Sequence, residues 1–274
     1  MKYELIPEGD LFRLRALKAF GDVREGELGG LVQGPENLSQ EGLCWVAGNA
    51  RVYGDARVYG DARIYGNARV YGGAEVSGSA QVYGGARVFG NTEVSGSAQV
   101  FGNTEVSGSA RVSGSARVYG NARVSGSARV YGSARVYGNS RVYGNSDVSW
   151  CACVYGDAKV YGDALVNGNA CVSGDACVSV DAHVYGDARV CGSALVCGRD
   201  FLLVGPLGSR SSTLTITRNS EGTLLFSTGC FHGTLDEFVA AVKEEHEGNQ
   251  HEFDYLAAVD LARVISRSWP NPNR

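Results

Sequence analysis

The sequence lacks a long apolar run, a basic leader and an excess of positive charge, and each absence removes a class of function. Without an apolar run there is no membrane span. Met1 to Asp10 alternate charged and apolar residues instead of opening with the basic segment and apolar stretch of an export signal. The expected location is therefore cytoplasmic, where eight cysteines read as reduced thiols and not as a disulfide scaffold. Lys and Arg number 25 against 29 Asp and Glu, a net charge of −4, which argues against a generic nucleic-acid binder. Methionine occurs once and proline five times, while glycine reaches 39. Such a bias directs attention to internal repeats.

Every sixth position from Val46 to Val196 is Val or Ile, with no insertion. Two residues earlier stands a small residue, Ala50, Ala56 and Ala62 at first, with Thr92, Thr104, Ser140 and Ser146 as variants. Two residues later stands Gly54, Gly60, Gly66 and so on, interrupted only at Trp150 and Val180. On a strand, residues two apart share a face, so Ala and Val point inward, and the Arg between them and the Tyr after them point outward. The Gly-Asp, Gly-Asn or Gly-Ser pair that follows is turn chemistry. One such strand cannot bury its apolar face alone. Stacked coils can, and they also satisfy each other's backbone.

The flanks differ. Residues 1–45 hold one strand pattern, Leu11 to Leu17, a Gly-rich stretch from Gly26 to Gly34, and Asn37-Leu-Ser-Gln-Glu-Gly42 leading into the repeat; they are expected to form an imperfect first coil and a cap. Residues 46–198 form the solenoid, and 199–274 an α+β tail. In the tail, Thr213–Thr217 and Thr223–Ser227 read as a hairpin and Gly229 to Thr234 as a strand-to-helix turn. Thr234 and Glu237 make a capping box for a first helix. A second helix follows Asn249, with Phe253, Leu256, Ala257, Val259, Leu261 and Val264 as its apolar side.

The repeat resembles the hexapeptide-repeat family, whose members fold as left-handed parallel β-helices with three hexapeptides per coil. That resemblance implies an all-β solenoid of about nine coils, roughly 40 Å long at about 4.8 Å per coil, and it favours a homo-oligomer, a trimer in particular. The whole-chain layout, with Gly26-Glu-Leu-Gly-Gly30, Asn37-Leu-Ser39, Gly208-Ser-Arg210 and Gly229-Cys-Phe231, is similar to phage and prophage repeat proteins commonly labelled transferases. Hexapeptide acyltransferases use a catalytic His and loops inserted between coils, and their carbonic anhydrase relatives use three His on zinc. This rod has His183 alone and no inserted loop. The sequence therefore points away from an enzyme, with acyl transfer through His183 or His232 as the alternative. No cofactor or metal is expected, although Cys153 and Cys171, one coil apart, should stack.

Sorting outward residues by eighteen gives one aromatic ladder, Tyr65, Tyr83, Phe101, Tyr119, Tyr137 and Tyr155. Arg117 and Arg135 lie beside Tyr119 and Tyr137, and six Arg recur from Arg111 to Arg141 without an acid among them. Guanidinium forks beside aromatic rings suit phosphates and bases. A second corner, at Cys230 and His232 with Arg210 or Arg218, precedes a helix N-terminus, where anions are favoured. Three functions are compatible with these features. The first is a non-catalytic, oligomeric phage-type binding protein that captures an anionic small molecule, such as a nucleotide signal of host defence. The others are an acyltransferase and a structural or protein-interaction rod.

Overall fold

The computed structural model describes residues 1–269. The hexapeptide makes a two-residue strand, as in Arg117–Val118, and each strand pairs in parallel with the one eighteen residues on, so that Val118 stands against Val136. Three backbone bonds per hexapeptide hold that register: Arg117 N donates to Ala134 O at 2.9 Å, Tyr119 N to Val136 O at 3.0 Å and Asn121 N to Gly138 O at 2.8 Å. The Val column and its Ala column are fully buried along the rod, as the pattern requires. At each corner glycine adopts positive φ, +78° at Gly120, where a side chain would also come within 3.1 Å of the Gly138 backbone of the next coil. Trp150 and Val180 occupy this left-handed corner without being glycine, at φ 59° and 61°.

Three faces result, making a β-solenoid of about nine turns. The first carries Arg51–Val52, Arg69–Tyr71 and their successors; the second starts at Arg57–Val58 and has eight strands; the third starts at Trp45–Val46 and has nine. The solenoid begins before the regular repeat does. Leu28–Val32 pairs in parallel with the strand at Arg51, placing Val32 against Val52, and Leu38 bridges to Val58, both offsets of twenty, whereas Val46 meets Ile64 at the normal eighteen. The two extra residues fall between Leu38 and Val46. Asn37, fully buried, substitutes for missing ladder bonds: its amide oxygen accepts from Gln33 N and Gly34 N, and its amide nitrogen donates to Gly54 O and Ala56 O.

A hairpin of Tyr3–Glu8 and Leu11–Ala16 covers this end, its second strand antiparallel to Leu28–Val32. The sequence pattern indicated only the second of these strands. Tyr3 and Trp45 close the core beneath it, with Phe20 edge-on to Trp45.

At the other end, strands Leu202–Leu207, Ser212–Arg218, Leu224–Thr228 and Phe231–Thr234 extend the first face as an antiparallel sheet. The expected hairpin is present, with Ile216 opposite Phe226. The segment read as a strand-to-helix turn is instead a further strand, because Phe231–Thr234 finds a full antiparallel partner in Leu225–Thr228. Helix α1 (Leu235–His246) and helix α2 (Gln250–Ile265) pack on this sheet. Helix α2 buries Tyr255, Ala258, Val259 and Ala262; of the apolar side the sequence suggested, Val259 is buried and Leu256 half-buried, whereas Phe253, Ala257, Leu261 and Val264 face outward. The buried stripe is set by Tyr255, edge-on to Phe238 of α1, with Ala258 and Ala262 in the same cluster.

Candidate binding surfaces

The aromatic ladder predicted on the third face forms without a break from Tyr65 to Tyr155. Ring centroids are 4.7 to 5.0 Å apart and interplanar angles do not exceed 5°. The in-register strands impose this spacing, close to the separation of neighbouring strands. Arg117 and Arg135 pair in register beside Tyr119 and Tyr137, both exposed. They are an isolated cationic pair on this face. Arg63 below them is bound to Asp22 of the cap, and the positions above are Cys153 and Cys171, which stack one over the other as expected. Burial, then the neighbouring Cys153, pushes the Cys171 thiol up from its ordinary value.

The longest cationic column is on the first face and was not picked out from the sequence. Its register runs Arg51, Arg69, Arg87, Glu105, Arg123, Arg141 and Lys159, six cations and one carboxylate in seven consecutive coils. All six cations are exposed, and among the described residues none has an ion-pair partner. Two residues along, Tyr53, Tyr71 and Phe89 stack, and so do Tyr143 and Tyr161, with Ser107 and Ser125 between the two stacks. Burial raises the Tyr71 phenol above its usual range while Arg87 and Arg69 pull it the other way, which places these cations within electrostatic reach of the rings. Reading every eighteenth residue from Arg51 would have found the column. On the second face, by contrast, Arg111 meets Glu93 at 3.8 Å and Arg129 meets Asp147 at 2.9 Å, so its charge is largely neutralised. Four stretches of the rod, residues 50–63, 62–78, 116–132 and 158–174, match a family model described as YdcK beta solenoid repeat. The chain is similar to that family in its repeat. No curated protein matches it.

The tail residues singled out from the sequence separate into three places. Arg218 is buried and holds Asp200 at 2.9 Å, with its guanidinium over the Trp269 ring, so it is a structural ion pair and not part of an open anion site. His232 turns toward the rod: its Nδ1 is 3.1 Å from Cys191 Sγ and 2.9 Å from Ser227 Oγ. Cys230 stands at the turn before its strand and lines, with Arg210, a cavity of about 480 Å³ between the sheet and the two helices. Cys230 and His232 therefore do not act together. The helix N-terminus they were expected to exploit is already served by its own side chains, since Thr234 N donates to Glu237 Oε2 at 2.7 Å and the Thr234 hydroxyl caps the Glu237 N–H. These bonds hold the Glu237 carboxyl below its ordinary value. His183, the other histidine considered, is exposed on the second face, with Nε2 2.9 Å from the Asn167 amide nitrogen and its ring against Tyr185.

Proposed function

We propose that the protein is a non-catalytic, oligomeric binding rod that captures an anionic, phosphate-bearing small molecule of nucleotide type along its first face. The observation that carries this reading is the straight column of six exposed cations, unpaired among the described residues: Arg51, Arg69, Arg87, Arg123, Arg141 and Lys159. Glu105 divides it into two groups of three. Each group spans about 10 Å, the reach of two or three linked phosphates, given a rise of about 4.8 Å per coil. Guanidinium forks bind phosphate oxygens two at a time and stay charged at all working pH values, and five of the six cations are Arg.

The aromatic rows supply the second half of nucleotide recognition. The stacks end at Phe89 and Tyr143, and Ser107 and Ser125 leave the ring faces between them open to a planar base. Stacking on such rings tolerates any base, so the arrangement favours nucleotides as a class. The unbroken ladder of the third face is the surface we assign to self-association, with a trimer as the expected assembly, since long contiguous apolar stripes mark contacts.

Titration calorimetry with a cyclic dinucleotide and a nucleoside triphosphate, together with native mass spectrometry, tests both parts. The expected result is saturable binding that weakens as ionic strength rises, on a species of several subunits. Absence of binding by either nucleotide at low salt would refute the ligand reading, and a monomer at micromolar concentration would refute the assembly.

A further inference from the structure

The tail cavity has a chemistry that the rod does not share. Its walls are the turn between strands Leu202–Leu207 and Ser212–Arg218, the turn at Gly229-Cys230, the C-terminal half of α1, and Tyr255 of α2. One buried hydroxyl among its lining residues is unused. Thr228, 8 % exposed, has no hydrogen-bond partner for Oγ1 among the described residues, and Tyr255, 7 % exposed, stands beside it in the cavity wall. Tyr255 is held in place by close packing: a side chain at Gly208, which has φ +70°, would come within 2.2 Å of its hydroxyl oxygen. Buried hydroxyls are nearly always satisfied in folded proteins, so one left without a partner on a residue of the cavity wall marks a place for polar atoms from outside the chain.

Charge defines those atoms further. Arg210 lines it on one side, and Glu244, Glu245 and His246 line it from the last turn of α1, at the negative end of the helix dipole. A simple anion would meet two carboxylates there, and a simple amine would meet Arg210. Between the charged walls lie Phe231, Phe238 and Val242, an apolar lining. We propose that this cavity binds a zwitterion with an apolar body, of amino-acid to dipeptide size. Its carboxylate is taken by Arg210 and the Thr228 and Tyr255 hydroxyls, and its ammonium by Glu244 and Glu245. A volume of about 480 Å³ falls within the range of small-ligand sites and suits a dipeptide.

Calorimetry with leucyl-phenylalanine, its N-acetyl form and its C-amide tests the assignment on the full chain. The free dipeptide should bind with one site per subunit, and either blocked form should bind about tenfold more weakly, because each leaves a charged wall unmatched. Arg210→Ala should weaken the free dipeptide but not the amide. Thr228→Val, which keeps the side-chain shape, should lower affinity without lowering the unfolding midpoint. Arg123→Ala, on the rod, should leave dipeptide affinity unchanged while weakening nucleotide binding, which keeps this site separable from the first-face reading. Equal affinity for the free and blocked dipeptides, or no binding of the free dipeptide at millimolar concentration, would overturn the proposal.

Discussion

His232 Nδ1 lies 3.1 Å from Cys191 Sγ, a contact between residues 41 apart in sequence that ties the tail sheet to the last coil of the rod. With Ser227 Oγ at 2.9 Å from the same nitrogen, the imidazole adds to a junction that also holds the Leu195–Arg218 strand contact, Arg189 N donating to Thr215 Oγ1 at 2.9 Å, and Cys191 Sγ 3.2 Å from Ser227 Oγ. A hydrogen bond of this kind contributes about 1 kcal/mol net, roughly a fivefold change in a local opening equilibrium. His232→Ala should therefore raise amide exchange in Phe231–Thr234 about fivefold. Unchanged exchange there would show that the contact does not hold the tail.

The two tail arginines should separate sharply in stability. Asp200 and Arg218 are both almost wholly buried and bonded to each other, so Asp200→Asn leaves a buried guanidinium without its carboxylate and should cost about 3–5 kcal/mol in urea denaturation. Arg210 is exposed, and Arg210→Ala should stay within about 0.5 kcal/mol of wild type. Equal losses would contradict the structural role given to Arg218.

Trp150 and Val180 hold the corner conformation that glycine holds elsewhere. A left-handed residue with a side chain costs about 1–2 kcal/mol, and glycine gives back about 0.5–1 kcal/mol of that through its greater unfolded-state freedom. Both side chains are mostly exposed, so little packing is lost on their removal. Trp150→Gly and Val180→Gly should each stabilise the rod by about 0.5–1 kcal/mol, seen as a higher denaturation midpoint. A lower midpoint would mean that the side chain makes a contact worth more than the strain.

Tyr3 gives the fold a signature at alkaline pH. Burial beneath the cap, reinforced by the neighbouring Cys44 thiol, pushes its phenol up to about 12. The unfolded chain loses this proton near pH 10 and the folded chain only near pH 12. The contribution is thus fully present below pH 10 and is lost as pH rises through that window, by on the order of 2 kcal/mol. Tyr3→Phe should abolish this part of the pH dependence. A variant with the same alkaline slope as wild type would assign the loss to another group.

The rod was legible in the sequence because one column of Val and Ile, one of Ala and one of Gly each had a single physical job, and a period of six left no freedom in register. The aromatic ladder followed by adding three repeats per coil. The same arithmetic contains the first-face cations, but the longest ring ladder lies beside Arg117 and Arg135, two cations where the neighbouring face offers six. The ends were less readable for a different reason. Strand Tyr3–Glu8 carries charge and Pro7 and makes sense only once Leu11–Ala16 lies beside it. The buried side of α2 is set by Tyr255 packing edge-on to Phe238 of α1, a contact between two helices that no local hydrophobicity reveals. The pairing of His232 with Cys191, and of Arg218 with Asp200, depends on where the tail folds back, and the linear pattern contains no signal for either.

The central claim is that the first face, and not the third, is the anion-binding surface. The most direct test compares two double variants in nucleotide titrations at fixed low salt. Arg123→Ala with Arg141→Ala removes two adjacent cations from the first-face column, and Arg117→Ala with Arg135→Ala removes the isolated pair from the third. Each charge-assisted contact contributes about 1.5–3 kcal/mol, so the first-face variant should lose at least about tenfold in affinity and much of the salt dependence, while the third-face variant should stay within about threefold of wild type. Equal losses in both, or a loss confined to the third-face variant, would contradict the account.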